Sequence, residues 1–327
     1  MGITIKDIAK QAGVSYSTVS KALRNSPLVK TPTKNKIIKI AEELGYIPNI
    51  AARSLVQKKS YTIGVVWPTV ERVAPSALIT KINELLEENS YTTLLSINKV
   101  HTAISTFNRL QVDAIIVFAE EEDYNDENKY VSKVPILYYG TKVSTSYPTI
   151  DVNRRLAIKL AVKRLIELGH EKIAFIGDLS SNDPLQKEKY IGYKEAIEEY
   201  GLIVNKHFII PTNGLDIYSG YLAAKNFLIG NIEVTGIISG SFEITSGFLK
   251  ATQELKIEVP KDVSVISYDN IPQTDNIELP FTKVGVPINR IAEQITETIL
   301  DIIDGTSVNN SIILEPEVNI GKSCKRH

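Results

Sequence analysis

Four polar side chains fall within six residues near the start of the chain: Tyr16, Ser17, Ser20 and Lys21. In a helix at this point Val19 and Ala22 would face inward, which leaves the four polar side chains outside. Hydroxyl and ammonium groups at this spacing can hydrogen-bond base edges or phosphates in the major groove of DNA. The alternative is an ordinary helical hairpin at the protein surface.

Two short helices joined by a tight turn would position this polar face. Thr4 can cap the first helix, and Asp7 follows three residues later, as in a capping box. Gly13 falls at the turn, where a residue without Cβ most easily adopts a positive φ, and Ser15 can cap the second helix. The inner side consists of apolar residues at helical spacing: Ile5, Ile8, Ala9, Val19 and Ala22.

A third helix is predicted after residue 30. Thr31 is its expected cap, Pro32 suits the first helical position, and Gly45 is a stop signal. Its apolar residues recur at helical spacing: Ile37, Ile40, Ala41 and Leu44. Its outer lysines are Lys34, Lys36 and Lys39, which could meet phosphates or could be solvated surface charges.

The segment that follows indicates a short helix between two domains. Pro48 interrupts the chain, and Asn49 could start a helix that ends at Leu55. A helix this short is marginal in water, so it needs a partner. Leu55 would then pack on a second copy of the chain or wedge between base steps in the minor groove.

The charge is distributed unevenly along the chain. Residues 1–60 contain eleven Lys or Arg and three Asp or Glu, a net charge of +8. The remaining 267 residues contain 26 Lys or Arg and 35 Asp or Glu, a net charge of −9. Because the basic segment coincides with the helical motif, we expect a nucleic-acid-binding head on an acidic body rather than chance clustering.

The composition argues against several other classes of protein. A length of 327 residues allows two or three domains. Cys324 is the only cysteine, so a disulfide framework within the chain is excluded. The histidines are scattered without metal-ligand spacing: His101, His170, His207 and His327. The chain lacks an apolar stretch that could span a bilayer, so we expect a cytoplasmic protein without membrane, metal or cofactor.

Short apolar runs alternate with helical stretches from residue 62 to 320. Nine strands are predicted, at Thr62–Trp67, Thr92–Ile97, Ala114–Phe118, Ile136–Tyr139, Ile173–Gly177, Phe208–Ile210, Gly236–Ser239, Val263–Tyr268 and Lys283–Val286. Helices are predicted between many of them, for example at 154–168 and 185–200. Continuous apolar strands between helices indicate parallel sheets covered on both faces, here in two similar α/β lobes.

Asp269 is the candidate ligand-binding residue of this body. It follows the strand Val263–Tyr268 at its carboxyl end, where ligands bind in open α/β sheets. A carboxylate there can accept paired hydrogen bonds from sugar hydroxyls. The alternatives are a helix cap or a surface carboxylate.

The sequence resembles the LacI/GalR family of bacterial transcriptional regulators. The residues that carry the resemblance are 4–23, Val29, Thr33, Ile37, the run Gly45-Tyr46-Ile47-Pro48-Asn49 and the run Ala52-Arg53-Ser54-Leu55. Weaker agreement continues to the C-terminus, for example at 112–116, 169–174 and 259–269. The resemblance therefore covers essentially the whole chain.

The family pattern implies an α/β fold with an N-terminal three-helix helix-turn-helix DNA-binding domain. A two-lobed, periplasmic-binding-protein-like body with parallel sheets follows. It implies that Tyr16, Ser17 and Lys21 lie in the major groove and that Leu55 wedges into the minor groove. The full set of expected DNA contacts is Thr4, Ser15, Tyr16, Ser17, Ser20, Lys21, Asn49, Ala52 and Leu55. The expected effector contacts are Asn153, Lys189, Phe242 and Asp269.

Two of these effector positions depart from the family pattern. Lys189 stands where the family usually has an arginine that forks onto effector hydroxyls, and lysine is a point charge without that planar fork. Ser241-Phe242 replaces a frequent Asn-Asp pair, so an aromatic face is available where a polar contact is missing. Asn153 falls where many relatives have Asp.

We therefore predict a homodimeric repressor, not an enzyme, that binds a palindromic DNA operator and responds to a sugar-like effector. Its expected domains are the head at 1–47, a hinge helix and linker at 48–60 and the body at 61–327. The expected lobes of the body are 61–155 with 288–320, and 156–287. An activator, a corepressor-dependent regulator and, less readily, a sugar-transport receptor remain as alternatives.

Overall fold

The computed structural model describes residues 3–23, 25–46, 59–67, 71–118, 132–140, 146–179, 183–230, 233–275 and 279–327. The chain divides into two compact units, residues 1–60 and 61–327. The expected hinge residues Asn49, Ala52 and Leu55 lie outside the described residues.

Three helices form the described part of the first unit: α1 (Ile5–Ala12), α2 (Tyr16–Leu23) and α3 (Thr31–Glu43). Gly13 ends α1 with a φ of 71°, in the left-handed region that its place at the turn predicted. The predicted cap of α3 was wrong, because Lys30 occupies that position and Thr31 is already helical. A proline in the first helical turn costs no intrahelical hydrogen bond, so α3 can begin just before Pro32.

A small apolar core joins the three helices. Ile8 on α1, Val19 on α2 and Ile37 on α3 are each 0% exposed. Smaller or less buried residues complete the cluster: Ala9, Ala12, Ala22, Val29, Ile40 and Ala41. The apolar residues that recur at helical spacing in the sequence are therefore the residues buried in this core.

The first lobe of the second unit is built on six parallel strands: β1 (Thr62–Val66), β2 (Thr92–Ser96), β3 (Ala114–Phe118), β4 (Ile136–Tyr139), β5 (Thr149–Val152) and β11 (Ser311–Leu314). Their order is β11-β5-β4-β3-β1-β2. Helices α4 (Val73–Glu88) and α10 (Ile288–Ile303) share one apolar core with this sheet, and α5 (Val100–Leu110) shares another. Successive residues of β3 alternate between the two cores, as the period of a strand requires.

The second lobe contains the strands β6 (Ile173–Asp178), β7 (Ile209–Thr212), β8 (Gly236–Ser239), β9 (Ser264–Tyr268), β10 (Thr282–Gly285) and β12 (Glu317–Asn319). Their order is β12-β10-β9-β8-β6-β7, and only β12 runs antiparallel to its neighbour. Helices α6 (Arg154–Glu167) and α7 (Pro184–Glu199) share one core with the sheet. Helices α8 (Ile217–Gly230) and α9 (Phe242–Glu254) share the other.

All nine predicted strands are present, and the described residues contain three more, β5, β11 and β12. One boundary of the predicted lobes was wrong. Residues 315–320 were expected in the first lobe, but β12 pairs with β10 in the second. The chain thus crosses between the lobes directly after Leu314, the last residue of β11.

Candidate functional site

The outer face of α2 presents polar groups to solvent. Tyr16 is 57% exposed, Ser17 and Lys21 are exposed, and Ser20 is half-buried. Val19 and Ala22 on the opposite side are buried. The helix therefore holds the predicted polar side chains on one accessible face.

Ser15 fixes the start of this helix. Its Oγ accepts a hydrogen bond from the Thr18 N–H at 3.1 Å and lies 2.8 Å from the Ser17 Oγ. The expected cap is confirmed, and it also orients a hydroxyl of the polar face.

Thr4 and Asp7 form the expected contact at the start of α1. The Asp7 carboxylate accepts hydrogen bonds from the Thr4 hydroxyl at 2.6 Å and the Thr4 N–H at 2.8 Å. These two bonds lower the pKa of Asp7. The exposed hydroxyl of Thr4 is engaged by Asp7 in the free head, so a contact from it to DNA stays a prediction.

The three outer lysines of α3 each have a contact within the head. Lys34 donates to the Asn25 side chain at 2.7 Å, and Lys36 donates to the Ala12 carbonyl at 3.0 Å. Lys39 lies 3.9 Å from a carboxylate oxygen one helical turn along. Their positive charges remain on the surface of the head.

A cavity of about 130 Å³ lies where the carboxyl ends of strands from both lobes meet. Trp67 follows β1, Tyr139 ends β4, and Asp269 follows β9. The first turns of α4, α7 and α10 contribute further lining residues. This is the edge at which open α/β sheets bind ligands.

Asp269 lies in this cavity, as its place after β9 predicted. Its φ is 82°, in the left-handed region. One carboxylate oxygen accepts a hydrogen bond at 3.0 Å from the Phe242 N–H, the first residue of α9. Asp269 therefore ties the start of α9 to the cavity wall.

Lys189 also lines the cavity and is only 3% exposed. Its Nζ donates to the Gly240 carbonyl at 2.7 Å and lies 3.8 Å from the centre of the Tyr268 ring. Burial lowers the pKa of Lys189 to about 7, against the opposing effect of the Asp269 carboxylate. A cation–π contact partly compensates the buried ammonium.

Arg154 lines the cavity, although it was not predicted to do so from the sequence. Its guanidinium is paired with Asp151 and donates to the Val152 carbonyl at 3.3 Å. Although burial opposes the charge, Asp151 keeps the pKa of Arg154 above its ordinary value. The sequence signal for Arg154 was its position. It directly follows the helix cap Asn153, which in turn follows the last residue of β5.

The other two predicted effector residues are not among those that line the cavity. Asn153 caps α6, where its side chain accepts from the Leu156 N–H at 3.0 Å. Phe242 is half-buried against the core of the first lobe. The structure brings Lys189 and Asp269 to the cavity and gives Asn153 and Phe242 roles in the framework around it.

The two lobes also touch at the rim of this cavity. Glu243 of α9 accepts a hydrogen bond at 2.8 Å from the N–H of Val73, the first residue of α4. The same carboxylate lies 3.9 Å from the guanidinium of Arg72. Since Glu243 is 5% exposed, this contact links the lobes through a buried charge.

The chain matches two family models. One is described as bacterial regulatory proteins of the lacI family and matches residues 4–49. The other is described as a periplasmic binding protein-like domain and matches residues 162–324. The chain is also 30% identical to catabolite control protein A of Priestia megaterium over 325 residues, 97% of each chain. It belongs to the LacI family of bacterial regulatory proteins. This LacI-family chain is a DNA-binding transcriptional regulator and not an enzyme.

Solved structures share the fold of this LacI-family chain. One is a Lac repressor dimer bound to operator and the anti-inducer ONPF, with a TM-score of 0.84 and 23% identity, over 99% of this chain and 100% of that chain. Another is a LacI-family regulator from Enterococcus faecium with bound ribose. It has a TM-score of 0.72 and 22% identity, over 81% of this chain and 99% of that chain. The Lac repressor structure, which covers nearly the whole chain, supports the predicted helix-turn-helix head and two-lobed body.

Within the described ranges, no helix is both long and apolar enough to cross a bilayer. The same part of the chain holds no group of three or more His, Cys, Asp or Glu side chains that could bind a metal ion.

Proposed function

We propose that this chain is a sequence-specific repressor that acts in the cytoplasm and binds a palindromic double-stranded operator as a homodimer. Residues 1–47 are the DNA-binding head, 48–60 the hinge helix and linker, and 61–327 the effector-binding and dimerisation body. The observation that carries the proposal is the exposed polar face of α2, held on a helix-turn-helix core.

The side chains on this face divide into two roles. Tyr16 and Ser17 select bases in the major groove, because their hydroxyls can hydrogen-bond base edges. Lys21 supports the position of the head by pairing with phosphate. The remaining proposed contacts are Thr4, Ser15 and Ser20 in the head, and Asn49, Ala52 and Leu55 in the hinge.

Two heads are needed because one recognition helix reads only a short half-site. A dimer reads two half-sites about 10 base pairs apart on the same side of the duplex. The Lac repressor structure, a dimer bound to operator, supports this arrangement by similarity.

The effector is a sugar-like molecule that binds in the cavity between the lobes, against Lys189 and Asp269. The relative with bound ribose supports this class of ligand. Binding changes the angle between the lobes and lowers the operator affinity. A coupling free energy of about 1–3 kcal/mol would change that affinity by roughly 5–150-fold.

In vitro selection tests the proposal. The full chain is used to enrich duplexes from a random library at moderate ionic strength, without any small molecule. We expect an inverted repeat to be enriched. With Tyr16→Ala we expect relaxed base preference at one position of each half-site, while the salt dependence stays nearly unchanged.

Tyr200→Ala is the matched control, because Tyr200 is an exposed tyrosine of the body. It should leave the selected sequence unchanged. Enrichment of no sequence, or an unaltered preference with Tyr16→Ala, would contradict the proposed role of α2.

A further inference from the structure

Among the residues that the structure describes, the charged groups that line the cavity are three cations, Arg72, Arg154 and Lys189, and two carboxylates, Asp183 and Asp269. The two arginines have carboxylates of their own nearby. Arg154 is paired with Asp151, and Arg72 lies 3.9 Å from Glu243. Neither of these two partner carboxylates lines the cavity.

Both lining carboxylates are engaged by the main chain. Asp183 caps α7 by accepting the Leu185 N–H at 2.8 Å and the Gln186 N–H at 3.3 Å. Asp269 accepts the Phe242 N–H at 3.0 Å. These hydrogen bonds direct negative charge toward helix starts, where the helix dipole stabilises it.

Lys189 is different from the two arginines. Across the described ranges, no carboxylate oxygen lies within the 4.0 Å of an ion pair from its Nζ. Its partners are the neutral carbonyl of Gly240 and the ring of Tyr268. An ammonium has three donors, and a buried charge without a counter-ion is costly.

A carboxylate on the ligand would supply this counter-ion. It would form a charge-assisted hydrogen bond, which is about twice as strong as a neutral one. A neutral hydroxyl of a sugar could accept the hydrogen bond but would leave the ammonium without a directly bonded carboxylate. The lysine therefore favours an anion over a neutral ligand.

The size and walls of the cavity restrict the rest of the ligand. One water needs about 10–15 Å³ of such a cavity, so 130 Å³ holds on the order of ten water-sized groups, about one monosaccharide. The rings of Trp67, Phe118 and Tyr139 pack edge to face along the cavity wall, with centroids 5.0 and 5.4 Å apart. Aromatic walls suit the apolar face of a single sugar ring.

We propose that the cavity binds a sugar acid, a monosaccharide-sized polyol whose carboxylate pairs with the ammonium of Lys189. This inference rests on the proposed function, since it names the effector of the same cleft.

Isothermal titration calorimetry of the full chain at pH 6.5 tests it. The probes are D-glucuronate, D-galacturonate and D-gluconate, compared with D-glucose, D-galactose and D-glucose 6-phosphate. We expect at least one acid to bind at least tenfold more tightly than its neutral counterpart. Equal or tighter binding of a neutral sugar, binding of the phosphate alone, or binding of none of these probes would overturn the proposal.

Variants of α7 assign the preference to one side chain. Lys189→Met should abolish the preference for the acid over the neutral sugar. Lys187→Met is the control, because Lys187 lies on the same helix but is exposed and away from the cavity. If Lys189→Met kept the preference while the protein remained folded, another group would hold the carboxylate and the proposal would fail.

The pH dependence of binding provides a second readout. The charged or titratable groups that face Lys189 are Arg72, Arg154, Asp183, Tyr268 and Asp269. Burial raises the pKa of the Tyr268 phenol. Because the pKa of Lys189 is about 7, binding of an acid at pH 8.5 requires proton uptake. Affinity for the acid should fall as the pH rises, by up to tenfold per unit, and Lys189→Arg should remove this dependence.

The two proposals can fail separately. Selection of an inverted repeat requires no ligand, and titration with sugar acids requires no DNA. A chain that selects an operator but binds no acid retains the proposed repressor function and loses only this inference.

Discussion

Replacement of Ile37 by alanine should strongly destabilise the DNA-binding head and leave the stability of the body unchanged. Ile37 is 0% exposed and lies in the core that joins the three helices. Truncation of a buried isoleucine to alanine costs about 2–5 kcal/mol. A unit of 60 residues at about 0.05–0.15 kcal/mol per residue has a total stability of about 3–9 kcal/mol. The substitution thus removes much or all of the free energy that keeps the head folded.

The neighbouring isoleucine provides a matched control. Ile38 lies on the same helix and is 38% exposed, so Ile38→Ala should change stability by only about 0.5 kcal/mol. The two variants carry the same substitution at adjacent positions of one helix, and the main difference between them is the burial of the isoleucine.

Hydrogen exchange measured by mass spectrometry separates the two units. In Ile37→Ala, peptides from 5–43 should lose protection, while peptides from 62–314 should exchange as in the unaltered chain. Affinity for a selected operator should fall in parallel. Equal protection of the head in the Ile37 and Ile38 variants, with equal operator affinity, would refute the assignment of this core.

The remaining predictions concern the body. Glu243→Ala leaves the first amide of α4 without its acceptor and should lower the free energy of unfolding by about 1–3 kcal/mol. Calorimetry would detect this loss as a melting temperature lowered by several degrees. An unchanged melting temperature would contradict this contact. Gly192→Ala places a Cβ against a carbonyl oxygen of α6 and should destabilise the body by about 1–3 kcal/mol, whereas Gly230→Ala, with open space around it, should have little effect in the same denaturation assay. Since the pKa of Lys189 is about 7 in the folded body and higher in the unfolded chain, the unfolded state binds more protons between about pH 7 and pH 10. Stability should therefore rise with pH over that range by on the order of 1 kcal/mol per unit at most, and parallel stability curves for Lys189→Met and Lys187→Met would exclude this contribution.

The elements that could be predicted from the sequence are those with a strong apolar pattern. All five residues of β3 are buried between helices on both sides, and its bounds were predicted correctly. β5 was missed because it is short and contains Asp151, whose carboxylate pairs with Arg154 in the folded chain. A local pattern carries no information about such a partner.

Edge strands were predicted less accurately for a similar reason. β12 has only three residues, none of them buried, so its assignment to the second lobe depends on pairing with β10. β7 continues through Pro211, where the prediction ended the strand. Proline is tolerated there because β7 lies at the edge of its sheet.

A residue of the candidate site could be predicted where its place is determined by its position directly after a strand. Asp269 follows a buried strand, so its place at the ligand-binding edge could be deduced. The environment of Lys189 could not, because Gly240, directly after β8, and Tyr268, the last residue of β9, lie more than fifty residues away in sequence. Arg154 was overlooked in favour of its neighbour Asn153, since one residue decides which side chain enters the cavity and which caps the helix.

In the proposed function, a ligand in the cleft of the body controls the affinity of the head for its operator. The most direct test is a fluorescence anisotropy titration of the full chain with its selected duplex. The titration is repeated with a saturating amount of whichever sugar, sugar acid or sugar phosphate raises the melting temperature of the protein. We predict tight binding to the selected duplex over random competitor and a loss of affinity of roughly 5–150-fold with the ligand. Identical affinities with and without a ligand that demonstrably binds, or no preference for the selected duplex, would contradict the account.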